Sequence, residues 1–194
     1  MLLTKLRATT PYMSTSAHNI TLTLQRRITA ACICCLLAVG TATAAPIDDA
    51  GEAYNKSVYV QAIKLFRPLA AQGNADAQAM LGMMYLKGEG TTRNYPEAVK
   101  WLLLSAAQGN ASAQNNLGAM HFNGDGVVRN YQEAMRLFRL SAMQGDKYGQ
   151  TSLAAMYLNG YGVAKDVKEA VKWYRLAAAQ GDVNAEKALK RLNQ

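Results

Sequence analysis

The chain repeats itself with a period of 36 residues, and this period constrains its fold more than any other feature. Short Ala-Gln-Gly or Met-Gln-Gly motifs place glycines at 36-residue intervals, at Gly73, Gly109, Gly145 and Gly181. Leucine and alanine recur with the same spacing, at Leu81, Leu117 and Leu153 and at Ala98, Ala134 and Ala170. A fixed period in the range of about 20 to 50 residues is the signature of a protein built by stacking one structural unit.

The first helix of each unit, helix A, is bounded by glycines. Gly73 suits the left-handed position after a helix, and Asn74 is a favourable N-cap for the next one. Helix A is then predicted to run to about Lys87, where Gly88 and Gly90 stop it. We interpret these Gly-x-Gly pairs as turns, because no strand precedes them and no Gly-Lys-Ser/Thr follows, as a phosphate loop would require.

The second helix, helix B, begins with an Asx variant of the capping box. Asn94 is followed three residues later by Glu97, and the pair recurs as Asn130 with Glu133 and as Asp166 with Glu169. Two helices, two short connections and a strict period predict an all-α chain, an α-solenoid of helix–turn–helix repeats.

The repeat resembles the Sel-1-like repeat (SLR) family, whose members are related to tetratricopeptide repeats (TPR). Residues 75–109 read Ala-x-Ala-Gln-x-x-Leu-Gly-x-Met-Tyr-x-x-Gly-x-Gly, then Tyr-x-Glu-Ala-x-x-Trp and Ala-Ala-x-Gly, and the likeness extends over about residues 50–192. The departures are small: Ala154 replaces a glycine, and Val167 and His121 replace tyrosines. The resemblance implies a right-handed solenoid that acts as a protein–protein interaction scaffold. Because the repeats contain no constellation of residues with catalytic chemistry, we expect neither catalysis nor a cofactor.

The period and the resemblance divide the chain into six segments. We expect a signal peptide at 1–44 and a TPR-like N-terminal hairpin at 45–72. Three SLR units follow at 73–108, 109–144 and 145–180, and a capping helix closes the solenoid at 181–194.

The first segment has the features of a secretory signal peptide. Arg26 and Arg27 precede an uncharged apolar run at 28–40, and Ala42 and Ala44 form the Ala-x-Ala pattern of a cleavage site. We therefore predict cleavage after Ala44 and a periplasmic or secreted protein with no membrane contact afterwards. A mitochondrial transit sequence is the competing interpretation, because the segment is basic and rich in Ser and Thr, and translation could start at Met1 or Met13.

Composition argues against several kinds of site after residue 44. All three cysteines, Cys32, Cys34 and Cys35, lie in the first segment, and His121 is the sole histidine after it. This argues against disulfides, a Cys/His metal centre and a Cys-His nucleophile. The net charge is +8 for the whole chain and falls to about +4 without residues 1–44, with acids interleaved, so we do not expect nucleic-acid binding.

Comparison of the repeats separates two faces of helix A. Columns 77, 78, 81, 82, 84 and 85 stay alike, whereas columns 79, 80, 83, 86 and 87 vary, and at 100° per residue the two sets lie on opposite sides. The resemblance places helix A on the concave side, which makes the variable face a candidate site for a protein or peptide partner. Its residues are Ala79, Met80, Met83, Leu86, Lys87, Asn115, Asn116, Ala119, Phe122, Asn123, Tyr148, Thr151, Ser152, Ala155, Leu158 and Asn159.

Alternatives remain open at several positions. Leu86, Phe122 and Leu158 are also suited to partial burial. His121 could be a general base or a metal ligand, but it stands in a tyrosine column and we interpret it as a half-buried packing residue. Some cysteine-rich SLR relatives are associated with β-lactam binding, so an envelope enzyme or a β-lactam- or peptidoglycan-binding protein is the alternative function. The sequence after residue 44 has no Ser-x-x-Lys motif to support it.

Overall fold

The computed structural model describes residues 47–192, which form α-helices joined by short turns. The predicted signal peptide at 1–44 lies outside the described residues. The helices are α1 (Ile47–Asn55), α2 (Tyr59–Ala71), α3 (Ala75–Lys87), α4 (Tyr95–Ala107), α5 (Ala111–Asn123), α6 (Tyr131–Met143), α7 (Lys147–Asn159), α8 (Val167–Ala179) and α9 (Val183–Leu192). Within these residues there is no strand and no helix that is long and apolar enough to span a bilayer.

The helices pack as a row of hairpins. Each helix packs against the next in the chain, and the helices A of neighbouring repeats, α3, α5 and α7, also contact one another. Ala98, Ala134 and Ala170, one from each helix B, are fully buried, and the apolar core continues through every repeat. The all-α solenoid predicted from the 36-residue period is confirmed.

The predicted N-caps are present in both helix types. Asn74 Oδ1 accepts a hydrogen bond from the Ala77 backbone N–H at 2.9 Å, and Asn94 Oδ1 accepts one from Glu97 at 3.1 Å. The other half of the capping box is not made, because the Asn94 N–H donates instead to the Tyr85 carbonyl at 2.9 Å. The Glu97 carboxylate is thereby free to bind another donor.

The second glycine of each Gly-x-Gly turn joins one repeat to the preceding one. Gly90 has φ +72°, and a Cβ atom on it would lie 2.5 Å from the carbonyl carbon of Tyr59, at the start of the preceding helix B. A Cβ on Gly126 would meet the Tyr95 Cβ at the same distance. The pairs are left-handed turns, as predicted, and the second glycine also permits a backbone contact between repeats that no larger residue allows.

Glutamine side chains form a ladder along the solenoid that the sequence analysis did not identify. Gln108 Nε2 donates to Gln78 Oε1 at 2.7 Å, and the equivalent pair, Gln144 to Gln114, has a distance of 2.8 Å. Gln78 is only 4% exposed and donates in turn to the Ala70 carbonyl at 3.0 Å. The ladder satisfies buried polar groups and fixes the spacing of successive repeats.

We predict that Gly90→Ala destabilises the protein more than Gly73→Ala does. Both glycines have a positive φ, but a Cβ on Gly73 has nothing within 4 Å. Strain alone should cost Gly73→Ala about 1–2 kcal/mol. Gly90→Ala should lose a further ~1–3 kcal/mol, because its methyl overlaps the Tyr59 backbone. Urea unfolding measures both, and equal losses would contradict the close contact between repeats.

Candidate functional site

The candidate residues lie on three neighbouring helices, α3, α5 and α7, but they differ in exposure. Lys87, Asn123, Tyr148 and Asn159 are exposed. Eleven others are half-buried, namely Met80, Met83, Leu86, Asn115, Asn116, Ala119, Phe122, Thr151, Ser152, Ala155 and Leu158. The face is therefore a set of partly recessed side chains.

Ala79 does not belong to this surface. It is 7% exposed and packs in the core cluster with Leu102 and Leu117, between the first two repeats. The helical-wheel argument placed it with the variable residues because it takes no account of how closely α3 and α5 approach. Leu86, Phe122 and Leu158 likewise pack against core clusters, as one of the two interpretations of the sequence allowed.

An apolar cleft of about 270 Å³ opens between α5 and α7. Five candidate residues line it, namely Ala119, Phe122, Ser152, Ala155 and Asn159, and Phe138 and Met156 are buried beneath them. Tyr161, which follows α7 and was not among the predicted residues, forms one wall. Tyr161 stacks on Tyr131 with the ring centroids 5.2 Å apart, and both rings contact Phe122.

A second, polar cleft of about 470 Å³ lies beside the first and shares Ser152 with it. Its candidate residues are Met83, Lys87, Asn115, Asn116, Tyr148, Thr151 and Ser152. The structure adds Ser112, Asp146, Asp182 and Asn184, which the sequence analysis missed. They belong to the starts of α5, α7 and α9, so the later helices A contribute their first turns to this cleft. For Asp146 and Asp182 the sequence did contain a signal, because both belong to the N-cap column that precedes each helix A.

Several hydrogen-bonding groups in the polar cleft are held in place. Asp146 accepts a 2.6 Å hydrogen bond from the Ser141 hydroxyl and one of 2.9 Å from the Gly149 N–H. Ser152 Oγ donates to Asn115 Oδ1 at 3.2 Å. The Thr151 hydroxyl is buried without a hydrogen-bond partner in the described part of the chain. The cleft thus presents fixed amides, hydroxyls and carboxylates.

His121 lies at a packing position, as predicted. In the neighbouring repeats the tyrosine of this column accepts a hydrogen bond from an arginine, Arg67 to Tyr85 at 3.0 Å and Arg139 to Tyr157 at 2.7 Å. Opposite His121 the arginine column holds Leu103, on helix B of the first repeat, and His121 Nδ1 is buried with no hydrogen-bond partner among the described residues. Among the described residues no group of three or more His, Cys, Asp or Glu side chains is arranged to hold a metal ion.

Comparison with protein families identifies the repeat. The family model for the Sel1 repeat matches residues 51–74, 75–110, 111–146 and 147–182. The chain belongs to the Sel1 repeat family. Proteins of this family generally mediate protein–protein interactions and act as non-catalytic scaffolds. The matched region includes residues 51–74, for which the sequence analysis expects a TPR-like hairpin.

Three solved structures are similar to this Sel1 repeat protein. Antigen c5321 of uropathogenic Escherichia coli, described as a protective antigen with an SLR fold, is 41% identical over 66% of this chain and 27% of its own, with a TM-score of 0.62. A Sel1 repeat protein from Oxalobacter formigenes is 31% identical over 70% and 54% of the two chains, with a TM-score of 0.66. This chain therefore spans about a quarter and about half of the lengths of these two relatives.

The third structure supports the fold alone. Cysteine-rich protein B of Helicobacter pylori is 20% identical over 74% of this chain and 96% of its own, with a TM-score of 0.50. A search of curated protein sequences finds no match.

Aspartate substitutions should separate the buried and exposed parts of the candidate face. Ala79→Asp places a carboxylate in an apolar cluster, and we expect it to cost about 3 kcal/mol or more. Tyr148 is 59% exposed in the first turn of α7, where a negative charge suits the helix dipole, so Tyr148→Asp should change stability by no more than about 0.5 kcal/mol. Urea unfolding of both variants checks this. If Ala79→Asp is as stable as the wild type, Ala79 is a surface residue and the assignment to the core is wrong.

Proposed function

We propose that this Sel1 repeat protein is an exported, non-catalytic scaffold that binds a protein or peptide partner on the helix-A face. The helix-A face is defined here as the residues of the apolar and polar clefts on α3, α5 and α7. The observation that carries the proposal is the continuity of the two clefts through Ser152. A single extended segment of a partner can therefore reach both.

The two clefts suit different parts of such a segment. The apolar cleft, walled by Phe122, Ala155 and Tyr161, suits one apolar side chain, which would be the buried anchor of the contact. The polar cleft presents the amides of Asn115, Asn116 and Asn184. A side-chain amide both donates and accepts hydrogen bonds, so it can pair with the N–H and C=O groups of a peptide backbone.

The case for export rests on the sequence of the first 44 residues. A basic pair, an uncharged run and an Ala-x-Ala pattern follow one another there as they do in secretory signals. An exported scaffold would meet its partner in the periplasm or outside the cell.

We predict that the mature protein begins at Ala45. Mass spectrometry of the protein recovered from a periplasmic or culture-medium fraction checks this, because cleavage after Ala44 removes residues 1–44. Blocking cleavage by Ala44→Arg should leave the uncleaved chain in the membrane fraction, since the small-residue position no longer fits the peptidase. Recovery of the intact chain from the cytoplasm in both cases would contradict export.

Site-specific photo-crosslinking in cells should locate the partner on the helix-A face. We expect a benzophenone amino acid in place of Tyr148 to give one discrete adduct, because this exposed ring lines the polar cleft. The same amino acid in place of Leu176 is the matched control, since Leu176 is 45% exposed but belongs to helix B. The adduct should decrease at least about tenfold when Asn115 and Asn116 are both changed to alanine, if each amide contributes about 1 kcal/mol.

The outcomes of this experiment are distinct. An adduct that forms at Tyr148, is absent at Leu176 and is lost with the two asparagines supports the proposal. The proposal is wrong if the same adduct forms only at Leu176, or if it persists unchanged without the asparagine amides.

A further inference from the structure

Two helices B contain a tryptophan that is fixed by the same hydrogen bond. Trp101 Nε1 donates to Glu97 Oε2 at 3.1 Å, and Trp173 Nε1 donates to Glu169 Oε1 at 2.9 Å. Each glutamate also binds the lysine that precedes the tryptophan, at 3.4 Å in the first repeat and 3.1 Å in the third. One carboxylate therefore serves both a cation and an indole N–H.

These indoles fill the seam between one helix B and the hairpin before it. Trp101 packs against the core cluster that contains Ala70 and Leu81. Trp173 packs in the same way against the equivalent cluster, which contains the counterparts of these two residues 72 positions further along the chain. The tryptophan is thus the residue that closes this seam in the first and third repeats.

The seam between the first and second repeats lacks two of these side chains. Leu137, on helix B of the second repeat, occupies the tryptophan column, which is also leucine at Leu65 in the N-terminal hairpin. Leu103, on helix B of the first repeat, occupies a column that is arginine at 67, 139 and 175. In the neighbouring repeats this arginine reaches across to a tyrosine hydroxyl, as described above for Arg67 and Arg139. Both replacements are shorter, and both fall at the same place in the fold.

A groove of about 420 Å³ lies where the missing side chains would be. Leu103 and Leu140 form its exposed rim at 50% and 39% exposure, and Leu137 and Leu117 are buried in it at 2% each. Leu117 is the equivalent of Leu81, a member of the core cluster against which Trp101 packs. Leu137 covers Leu117 in place of an indole, and the apolar surface that stays open in the groove is that of Leu103 and Leu140.

The carboxylate for the indole is retained. Glu133, the equivalent of Glu97 and Glu169, lines the groove and accepts two hydrogen bonds from Arg136, at 2.9 and 2.7 Å. The guanidinium lowers the pKa of the Glu133 carboxyl, so Glu133 is an anionic acceptor at neutral pH. Its oxygens have lone pairs for a further donor, as the glutamates of the first and third repeats demonstrate.

The geometry points to the groove between α4 and α6 as a second interaction surface, which binds a tryptophan-like side chain of a partner protein. The occupant is an aromatic ring with an N–H or O–H on its edge: the ring rests on the exposed Leu103 and Leu140, above the buried Leu117 and Leu137, and its donor binds Glu133. An aliphatic side chain could fill the space but would leave the acceptor unused. The exposed rim lies on helices B, so this surface does not depend on the helix-A face.

The probe for this site is N-acetyl-L-tryptophanamide, followed by NMR of the leucine methyl groups of the purified protein. We expect saturable shifts of the Leu103, Leu117, Leu137 and Leu140 methyls with a dissociation constant on the order of 1 mM, a typical affinity for a fragment of this size. N-acetyl-L-leucinamide should bind at least about tenfold more weakly, because it has no ring and no edge donor.

Two variants complete the test. Leu137→Trp restores the residue of the first and third repeats, so it should fold with an undiminished melting temperature and abolish the shifts. Leu103→Arg restores the arginine column over the groove mouth, and at an exposed position it should weaken binding without unfolding the protein. The proposal is overturned if the methyls do not shift, if the leucine amide binds equally well, or if either folded variant binds like the wild type.

Discussion

The contact on which the rest of the structure depends is the packing of each hairpin against the preceding one. A single pair of 13-residue helices cannot bury its apolar face alone, and here Ala98, Ala134 and Ala170 reach zero exposure because neighbouring helices cover them. Gly90 and its equivalents let the turn after each helix A approach the start of the preceding helix B so closely that there is no room for a Cβ atom on the glycine. The glutamine ladder repeats the same spacing in hydrogen bonds.

Because this contact must be made in the same way at every step, it fixes some columns and leaves others free. Most of the residues that vary on helix A line the apolar and polar clefts, whereas Ala79 is packed in the core between two repeats. A departure within a fixed column has a different meaning, because it removes a contact that the other repeats make. Leu103 is such a departure from the arginine column, Leu137 differs from the tryptophans of the first and third repeats, and both line the groove between α4 and α6.

The parts of the fold that could be predicted from the sequence are those set by local rules. Asn74 as an N-cap and Gly88 as a left-handed stop depend on residues within a single turn, so their patterns suffice. The Gln108–Gln78 hydrogen bond joins residues 30 positions apart and needs the stacking geometry. The same reason explains why Ala79 was placed on the surface and why Asn184 was missed, since a helical wheel describes one helix without its neighbours.

A solenoid held together by nearest-neighbour contacts also allows a site to arise in one repeat without disturbing the others. Replacing tryptophan by Leu137 keeps a leucine in the core at 2% exposure, and the hairpins on either side retain their own packing. The groove above it leaves Leu103 and Leu140 exposed and Glu133 without an indole donor. A partner side chain that enters the groove makes dispersion contacts with these leucines and restores the hydrogen bond to the glutamate. One repeat junction therefore forms the binding surface, and the tryptophans of the first and third repeats indicate which kind of side chain fits it.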